Sequence, residues 1–203
     1  MKEVIQVMSF DSMYKSGTPP WDINKPQQAF VDLFNGGKIK GPVLDIGCGT
    51  GENALFLADH GLTVTGIDFS RHAINKAILK VARKYICTNL TFRIQDLFQL
   101  STNGSKYKTV IDCGVFHIFN HNWRIKYQEK MYQLLQGNGL LALLVFSDKE
   151  PLGIGPPHRI SKTIIETIFI EHKWKIESIT EEKFEHNFPS KFANAYLAVI
   201  RKI

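Results

Sequence analysis

The sequence has 203 residues, of which 44% are hydrophobic and 22% are charged, with a formal net charge of +6. This length and composition predict one soluble globular domain that folds without disulfide bonds or a structural metal. The apolar runs are far shorter than the ~20 residues that span a bilayer, and the first residues lack the apolar stretch of a signal peptide. Three cysteines (Cys48, Cys87 and Cys113) fit neither a disulfide framework nor a zinc site, and they indicate a reducing cytoplasm.

The positive charge raises the possibility of a nucleic-acid partner. However, the basic residues are scattered, and no run exceeds two, as at Arg83–Lys84 and Arg201–Lys202. We therefore expect neither a nucleic-acid nor a membrane partner, although a basic surface assembled in three dimensions stays an alternative. The sequence predicts no oligomeric state, and a monomer is consistent with it.

Short strand-like runs alternate with amphipathic stretches along the chain, which predicts a single-domain, doubly wound α/β sheet. A first helix begins near Pro26 and ends at Gly36–Gly37, and Ser70 and Ser161 are the predicted N-caps of two later helices. The predicted helices that follow the first are Glu52–His60, Ser70–Ala82, Asn122–Gln136 and Ser161–His172. Seven strands are predicted, namely Pro42–Ile46, Leu62–Asp68, Leu90–Gln95, Lys108–Asp112, Leu140–Phe146, Trp174–Thr180 and Ala195–Ile200. The last two should pair as an antiparallel hairpin with a long connection through Phe188–Pro189.

The first strand runs into a loop with glycine at every second position, Gly47, Gly49 and Gly51, and then into a helix. Glycine allows a ligand to approach the backbone closely. A dinucleotide loop would have the spacing G-x-G-x-x-G, which places Glu52 at the third glycine position. The pattern therefore favours a ligand without a pyrophosphate, with an amine and a carboxylate near the loop. A tight turn without a ligand is the alternative.

Two further strand ends carry a carboxylate. Asp68 ends the second predicted strand, where it could accept hydrogen bonds from a ribose diol. Asp96 follows the third, where it could accept from an adenine amino group while Leu97 and Phe98 flank the ring. Each aspartate alone could be a cap or turn residue. Because ligands bind beyond the carboxyl ends of parallel strands, the three strand ends together predict one binding site.

From about residue 40 to residue 147 the chain resembles the class I S-adenosylmethionine-dependent methyltransferases, whose motif I matches Leu44–Gly51. The resemblance implies six parallel strands and one antiparallel strand, helices on both faces and S-adenosylmethionine as the cofactor. No metal is implied. By matching positions and neighbours, the cofactor-binding residues are predicted to be Trp21, Asp45, Gly47, Cys48, Gly49, Gly51, Asp68, Phe69, Asp96, Leu97 and Cys113.

Three other segments resemble the thiol, halide and thiopurine methyltransferases. Thr18–Asp22 matches their "PWD" segment, Asp112–Phe119 their motif IV, and Gly155–Ser161 their "GPP…S" loop. The match implies an N-terminal lid (1–35) and a methyltransferase domain (36–203). The [DNS]-P-P-[YFW] motif of amino-group methyltransferases is absent after strand four, and Thr18–Trp21 lies too close to the glycine loop for a permuted version. Cys113 departs from the aromatic residue common in plant relatives, which leaves the acceptor open.

We predict Phe116, His117 and Arg159 as the catalytic residues. His117 could orient or deprotonate an acceptor, or only bond to backbone; Arg159 could attract an anionic acceptor, or only bond its loop. Trp21 could cover a sulfonium by a cation–π contact, or tether the N-terminal segment. The expected function is methyl transfer to a small soft nucleophile: a thiol, thiopurine, halide or chalcogen oxyanion. The alternatives are a small-molecule O- or N-methyltransferase, a non-catalytic cofactor-binding module, and an RNA or protein methyltransferase.

Overall fold

The computed structural model describes residues 10–83, 88–101, 107–151 and 157–203. Cys87 and the Gly155–Pro156 part of the predicted loop lie outside these ranges. Helix α1 covers residues 10–16. The other helices are α2 (Gln28–Asn35), α3 (Glu52–Asp59), α4 (Arg71–Arg83), α5 (His121–Leu134) and α6 (Lys162–Ile168). The strands are β1 (Val43–Ile46), β2 (Val64–Asp68), β3 (Leu90–Ile94), β4 (Tyr107–Cys113), β5 (Leu135–Phe146), β6 (Trp174–Glu185) and β7 (Phe192–Lys202).

These strands form one sheet in the order β3-β2-β1-β4-β5-β7-β6. Strand β7 runs antiparallel to both of its neighbours, and the remaining pairs are parallel. The predicted fold class, with six parallel strands and one antiparallel strand, is confirmed. The parallel strands bring the ends of β1, β2, β3 and β4 to one edge of the sheet, which we call the carboxyl end.

The core lies on both faces of this sheet. Successive residues of β4, Val110 and Ile111, belong to different hydrophobic clusters because side chains alternate across a strand. Helices α5 and α6 pack on one face, and α2 and α3 pack on the other. No helix of the described ranges is long and apolar enough to cross a membrane.

Local chemistry explains where several elements begin. The hydroxyls of Ser70 and Ser161 accept from the backbone N–H groups of Ala73 and Ile164, so both predicted N-caps are confirmed. Asn120 caps α5 in the same way.

Several predicted boundaries differ from the structure. Helix α5 ends at Leu134, and β5 begins at once, so Gly137 and Gly139 lie in an irregular strand start rather than after a helix. Helix α6 ends at Ile168, four residues before the expected His172. Strands β6 and β7 are longer than predicted, so only residues 186–191 connect them. The polar residues of β6 hide its length because it is an exposed edge strand.

The N-terminal segment is bonded to the carboxyl end of the sheet. Asp11 accepts from the hydroxyl of Ser70 at 2.6 Å and contacts the His72 ring at 2.9 Å. Gln27 bonds both the backbone N–H and the carbonyl of Glu185, at 2.9 Å each. The segment therefore spans from the start of α4 to the end of β6. The boundary between a lid (1–35) and a domain (36–203) stays a prediction.

Candidate cofactor and acceptor site

The glycine loop adopts a conformation that other residues resist. Gly47, Gly49 and Gly51 have φ values of +60°, +54° and +86°. A Cβ atom on Gly47 would lie 2.2 Å from the Val115 side chain, and one on Gly49 would lie 2.6 Å from the Tyr14 hydroxyl. The backbone of this loop is therefore closely surrounded, and its bare surface faces a cavity.

Asp68 connects the loop to the end of β2. Its carboxylate accepts from the N–H of Gly49 at 3.0 Å and from the N–H of Ser70 at 2.7 Å. Burial raises the pKa of Asp68 to about 6, although these two N–H groups favour the charged form. Each carboxylate oxygen can still accept a further hydrogen bond, so the side chain can hold a ligand hydroxyl.

Asp45 lies beneath the loop and is fully buried. Neither of its oxygens makes a well-formed hydrogen bond within the described residues. Burial, together with the negative charges of Asp112 and Asp68, holds the pKa of Asp45 well above its usual range. A buried carboxyl without a well-formed hydrogen bond indicates a missing water, ion or ligand, and a positively charged group above the loop would stabilise this one.

Two adjoining cavities occupy the carboxyl end of the sheet. The first, which we call the lid cavity, has a volume of about 270 Å³ and lies between the N-terminal segment, the glycine loop and the ends of β4, β5 and β6. The second, the side cavity, has a volume of about 490 Å³ and lies beyond β2 and β3. Gly47, Asp68, Phe69 and Val115 line both cavities, so an elongated ligand can extend from one into the other.

The structure brings almost all of the predicted cofactor residues to these two cavities. Asp45 is the exception because it lies below the loop. Those that line the lid cavity are Trp21, Gly47, Cys48, Gly49, Gly51, Asp68, Phe69 and Cys113. Asp96 and Leu97 line the side cavity. Their roles in binding stay predictions.

Aromatic rings complete the side cavity. Asp96 is exposed and accepts from the Phe98 N–H at 2.8 Å, so part of its carboxylate already caps a turn. The ring centroids of Phe98 and Trp123 are 4.8 Å apart, and Phe119 lies 5.5 Å from Phe98. Trp123 was not predicted as a site residue, because it comes from α5, far along the chain. Its apolar ring beside Leu97 makes the slot suited to a flat heterocycle.

The predicted lid is also a tether. The Trp21 indole N–H donates to the Tyr14 hydroxyl at 2.8 Å, and Phe10 packs edge-on against Trp21 at 5.3 Å. Tyr14 is only 4% exposed, whereas Trp21 is half-buried and faces the lid cavity. Of the two roles considered for Trp21, covering the cavity is consistent with its position, while the buried Tyr14 anchors the segment.

A polar network that the sequence analysis missed joins this lid to the glycine loop. The Thr50 hydroxyl donates to Asp22 at 2.8 Å, and the Lys80 ammonium donates to Thr50 at 2.8 Å. Lys80 also pairs with Glu52. Asp22 itself could have been predicted from the sequence, because it is the last residue of the "PWD" segment. Its partners could not be found, because they lie on different elements.

His117 faces the lid cavity as a neutral ring. The N–H of Phe146 donates to its Nδ1 at 3.2 Å, so the proton of the neutral ring lies on Nε2. Burial, and then the positive charge of Arg159, lower the pKa of His117 to about 3. The structure therefore gives His117 the backbone-bonded arrangement and leaves it a hydrogen-bond donor rather than a base.

The other two predicted catalytic residues lie outside the cavities. Phe116 is fully buried, packed between Tyr127 and Phe169, so its ring is part of the core and its position does not support contact with an acceptor. Arg159 donates to the carbonyls of Pro151 and Pro157, so its guanidinium is engaged by its own loop. Both residues were expected at the site because they neighbour His117 and the substrate loop in sequence.

Comparisons with known proteins agree with this geometry. The family model described as thiopurine S-methyltransferase matches residues 6–199, nearly the whole chain. The chain belongs to the thiopurine S-methyltransferase family. The protein is therefore an S-adenosylmethionine-dependent methyltransferase, and the cofactor predicted from the sequence is confirmed.

Three known proteins are similar to this chain over most of its length. The 2-heptyl-1-hydroxyquinolin-4(1H)-one methyltransferase of Mycobacteroides abscessus is 31% identical over 195 residues, covering 92% of this chain and 85% of that protein. Thiocyanate methyltransferase 1 of Brassica oleracea is 25% identical, covering 91% and 81%. A structure solved for the conversion of a disulfide bond into a thioacetal group during echinomycin biosynthesis superposes with a TM-score of 0.86 at 31% identity, covering 97% and 93%.

The residues of this family member fit the cofactor. S-adenosylmethionine is cationic at its sulfonium and ammonium groups, and the Asp45 carboxyl, which lacks a well-formed hydrogen bond, lies beneath the loop that would hold the methionine part. Asp68 would hold the ribose, while Asp96, Leu97 and Trp123 would surround the adenine. The bound cofactor supplies an electrophilic methyl group, which leaves the protein to align an acceptor and exclude water.

Proposed function

We propose that the protein methylates a small, soft nucleophile: a thiol, thiopurine, halide or chalcogen oxyanion. Such acceptors react with a sulfonium methyl group once they are aligned, and they need little acid–base help. The family description and the thiocyanate methyltransferase of Brassica oleracea support this class. So does the sulfur chemistry named for the structural neighbour from echinomycin biosynthesis.

The observation that carries the proposal is the lack of an available base in the described wall of the lid cavity. The two histidines there, His117 and His186, both accept a backbone N–H at Nδ1. Among the carboxylates, Asp22 accepts from Thr50, and Glu52 is paired with Lys80. Asp68 also lines this cavity, but it already accepts from two backbone N–H groups, and we assign its remaining acceptor positions to the ribose of the cofactor. An ion pair makes a carboxylate a weaker base. Hard acceptors such as amines and hydroxyls usually require such a group.

The remaining wall favours an apolar acceptor. Phe146 and Phe184 pack edge-on at 4.9 Å, and Phe188 and Ile23 complete this side of the cavity. The Nε2–H of His117 is a donor among these rings, so it can orient a polar or anionic atom of the acceptor. In this arrangement Trp21 covers the reacting groups, the aromatic wall excludes water, and the acceptor arrives already ionised.

The proposal is tested by the pH dependence of methyl transfer to several thiols that differ in acidity. S-adenosylhomocysteine formation is measured for each thiol, and kcat/KM is plotted against pH. We expect the midpoint of each profile to follow the pKa of that thiol, because the thiol ionises without help from the protein. A midpoint that stays constant across the thiols would reveal a protein base. Activity on phenols or amines with none on thiols, thiopurines, halides or chalcogen oxyanions would also overturn the proposal.

A His117→Phe variant tests whether His117 acts as a hydrogen-bond donor or as a base. The variant keeps a ring in the wall and removes both nitrogens. We expect a higher KM for the acceptor with kcat within about threefold of the parent, because only orientation is lost. His60→Phe at the exposed end of α3 is the matched control. A fall in kcat of about a hundredfold would show that His117 transfers a proton.

A second candidate is methylation of a small hydroxylated heteroaromatic compound at oxygen or nitrogen. It is favoured by the 31% identity to the hydroxyquinolone methyltransferase of Mycobacteroides abscessus. Including such a compound among the acceptors distinguishes the two candidates directly. For either acceptor we propose that the enzyme is cytoplasmic, since Cys48 and Cys113 are free thiols. We also propose that residues 1–35 act as the lid of the site.

A further inference from the structure

A second concave site lies at the opposite edge of the sheet, where β1, β4 and β5 begin. The groove has a volume of about 370 Å³. Four basic side chains line it, Lys38, Lys40, Lys108 and Arg201, and none of its lining residues is acidic. We propose that this groove, which we call the basic groove, binds a small polyphosphate anion carrying two or three phosphate groups.

The charge of the basic groove is only partly neutralised. Lys38 and Arg201 share one carboxylate, Glu177, which lies 3.4 Å from the Lys38 ammonium and bonds the Arg201 Nε. No hydrogen bond or ion pair within the described ranges engages the ammonium groups of Lys40 and Lys108. Four positive charges therefore face the groove against a single carboxylate outside its lining. Charged groups gathered in a concave surface attract counter-ions more strongly than scattered ones.

The backbone that carries these side chains is well held. The N–H of Lys40 donates to the Thr109 hydroxyl at 3.0 Å, and that hydroxyl donates to the Lys40 carbonyl at 2.8 Å. The N–H of Lys108 donates to the Pro42 carbonyl at 2.9 Å. Arg201 bonds the Asn138 carbonyl at 2.8 Å, which fixes its guanidinium beside the start of β5. The fold therefore fixes the backbone positions of the lysines and the Arg201 guanidinium before a ligand arrives.

The size and confinement of the basic groove favour a small anion over a nucleic acid. Two cations are enough to pair with one phosphate, so four in one cavity match several phosphates held close together. A nucleic acid would need cations spread along a track of successive phosphates. Here they converge on one cavity about as large as an ordinary small-ligand pocket.

The test uses inorganic tripolyphosphate and the full chain, with binding measured by titration calorimetry at low salt. The double variant Lys40→Gln/Lys108→Gln removes the two unpaired ammonium groups, and we expect its affinity to fall by about tenfold or more. Lys162→Gln/Lys183→Gln removes the same charge from exposed positions elsewhere and should change affinity less than about twofold. S-adenosylmethionine binding should stay unchanged in both, which also shows that they are folded.

A variant that removes a negative charge should have the opposite effect on tripolyphosphate binding. Glu177→Gln removes the carboxylate shared by Lys38 and Arg201, so it should tighten tripolyphosphate binding several-fold. Glu181→Gln makes the same charge change at a residue paired with Lys149 and should have no effect. The proposal is overturned if the parent protein does not bind tripolyphosphate or if both lysine pairs weaken binding equally. It is also overturned if a short RNA binds the groove more tightly than tripolyphosphate does.

Discussion

The two ends of the strands carry ionisable groups of opposite kinds, acidic at one edge of the sheet and basic at the other. At the carboxyl end, Asp45, Asp68 and Asp112 are buried beneath or beside the lid cavity, where a cationic cofactor fits. At the amino end, Lys40 and Lys108 face the basic groove without a carboxylate in its lining. The net charge of +6 is therefore not a uniform surface property. It hides an acidic edge and a basic edge separated by the length of the strands.

The two edges also differ in how far their ionisable side chains are exposed to solvent. Lys40 and Lys108 are exposed and remain hydrated. Asp45 and Asp112 are buried, and burial raises the pKa of both side chains, that of Asp112 to about 6. A buried charge needs a partner, whereas an exposed one does not. Asp112 already accepts from the Tyr127 hydroxyl and from two backbone N–H groups, whereas Asp45 lacks a well-formed hydrogen bond, so Asp45 is the group that a positive ligand would stabilise. The variants below test each edge separately.

The largest effect is expected at the acidic edge from Asp68→Asn. The change removes the charge that two backbone N–H groups share and that, in our assignment, the ribose diol would share as well. We expect S-adenosylmethionine affinity to fall by about a hundredfold or more, as for the loss of charge-assisted hydrogen bonds. Asp32→Asn on the exposed side of α2 is the control, and calorimetric binding is the measurement. Unchanged affinity would show that Asp68 only organises the loop.

The pH dependence of cofactor binding is the next largest effect. Since burial raises the pKa of Asp68 to about 6, lowering the pH from about 7.5 to about 5 should weaken binding about tenfold, because the diol donates best to the charged form. For the ligand-free fold the sign is opposite. The pKa of Asp68 is higher in the folded than in the unfolded chain, so stability from this group is lost as the pH rises through about 6. Asp68→Asn should abolish both trends, and their persistence would assign them to another group, such as Asp112.

Trp21→Ala tests the cover of the lid cavity. Removing the indole should weaken cofactor binding by about fivefold to tenfold, the size of a partly desolvated cation–π contact. Trp21→Phe keeps an aromatic face while deleting the N–H to Tyr14, so it should retain most of the affinity. Thermal unfolding measured in parallel separates the roles. A large loss of stability with unchanged binding would make Trp21 a tether alone.

Ionic strength is expected to have the smallest effect on cofactor binding at the acidic edge. It should also distinguish the two edges most clearly, because tripolyphosphate binding at the basic groove depends on it. Raising the ionic strength from about 50 to about 300 mM should weaken tripolyphosphate binding several-fold, because the basic groove is exposed and screened. Cofactor binding should change less than about twofold, because Asp45 and Asp68, two of the carboxylates assigned to the cofactor, are buried. Equal salt dependence at the two edges would remove the distinction between them.

Much of the fold could be predicted because it depends on local patterns. The strand and helix periods, the N-caps Ser70 and Ser161 and the glycine loop are all short-range features. Parallel strands then bring Asp68 and Asp96 to one edge without further information. The length of β6 could not be predicted, since an edge strand exposed to solvent lacks a clear hydrophobic alternation.

The candidate site was less predictable for a geometric reason. Phe116 and His117 are adjacent in sequence, but the short turn Phe116–Ile118 directs the first into the core and the second to the lid cavity. A motif match cannot show which of two neighbours faces the ligand. The bond between Thr50 and Lys80 joins different elements, and Arg159 bonds carbonyls of its own loop, which charge alone does not indicate.

The pair formed by Gln27 and Glu185 has a consequence for how the chain is assembled. These residues are 158 positions apart, yet their two hydrogen bonds help to close the lid cavity. During synthesis the glycine loop and both acidic strand ends leave the ribosome well before Glu185. The nascent chain therefore contains the glycine loop and the acidic strand ends long before it contains the residues of β6 that close the lid cavity. Long-range closure of this kind forms late in folding, so the ability to retain the cofactor should be acquired only when the last two strands have paired.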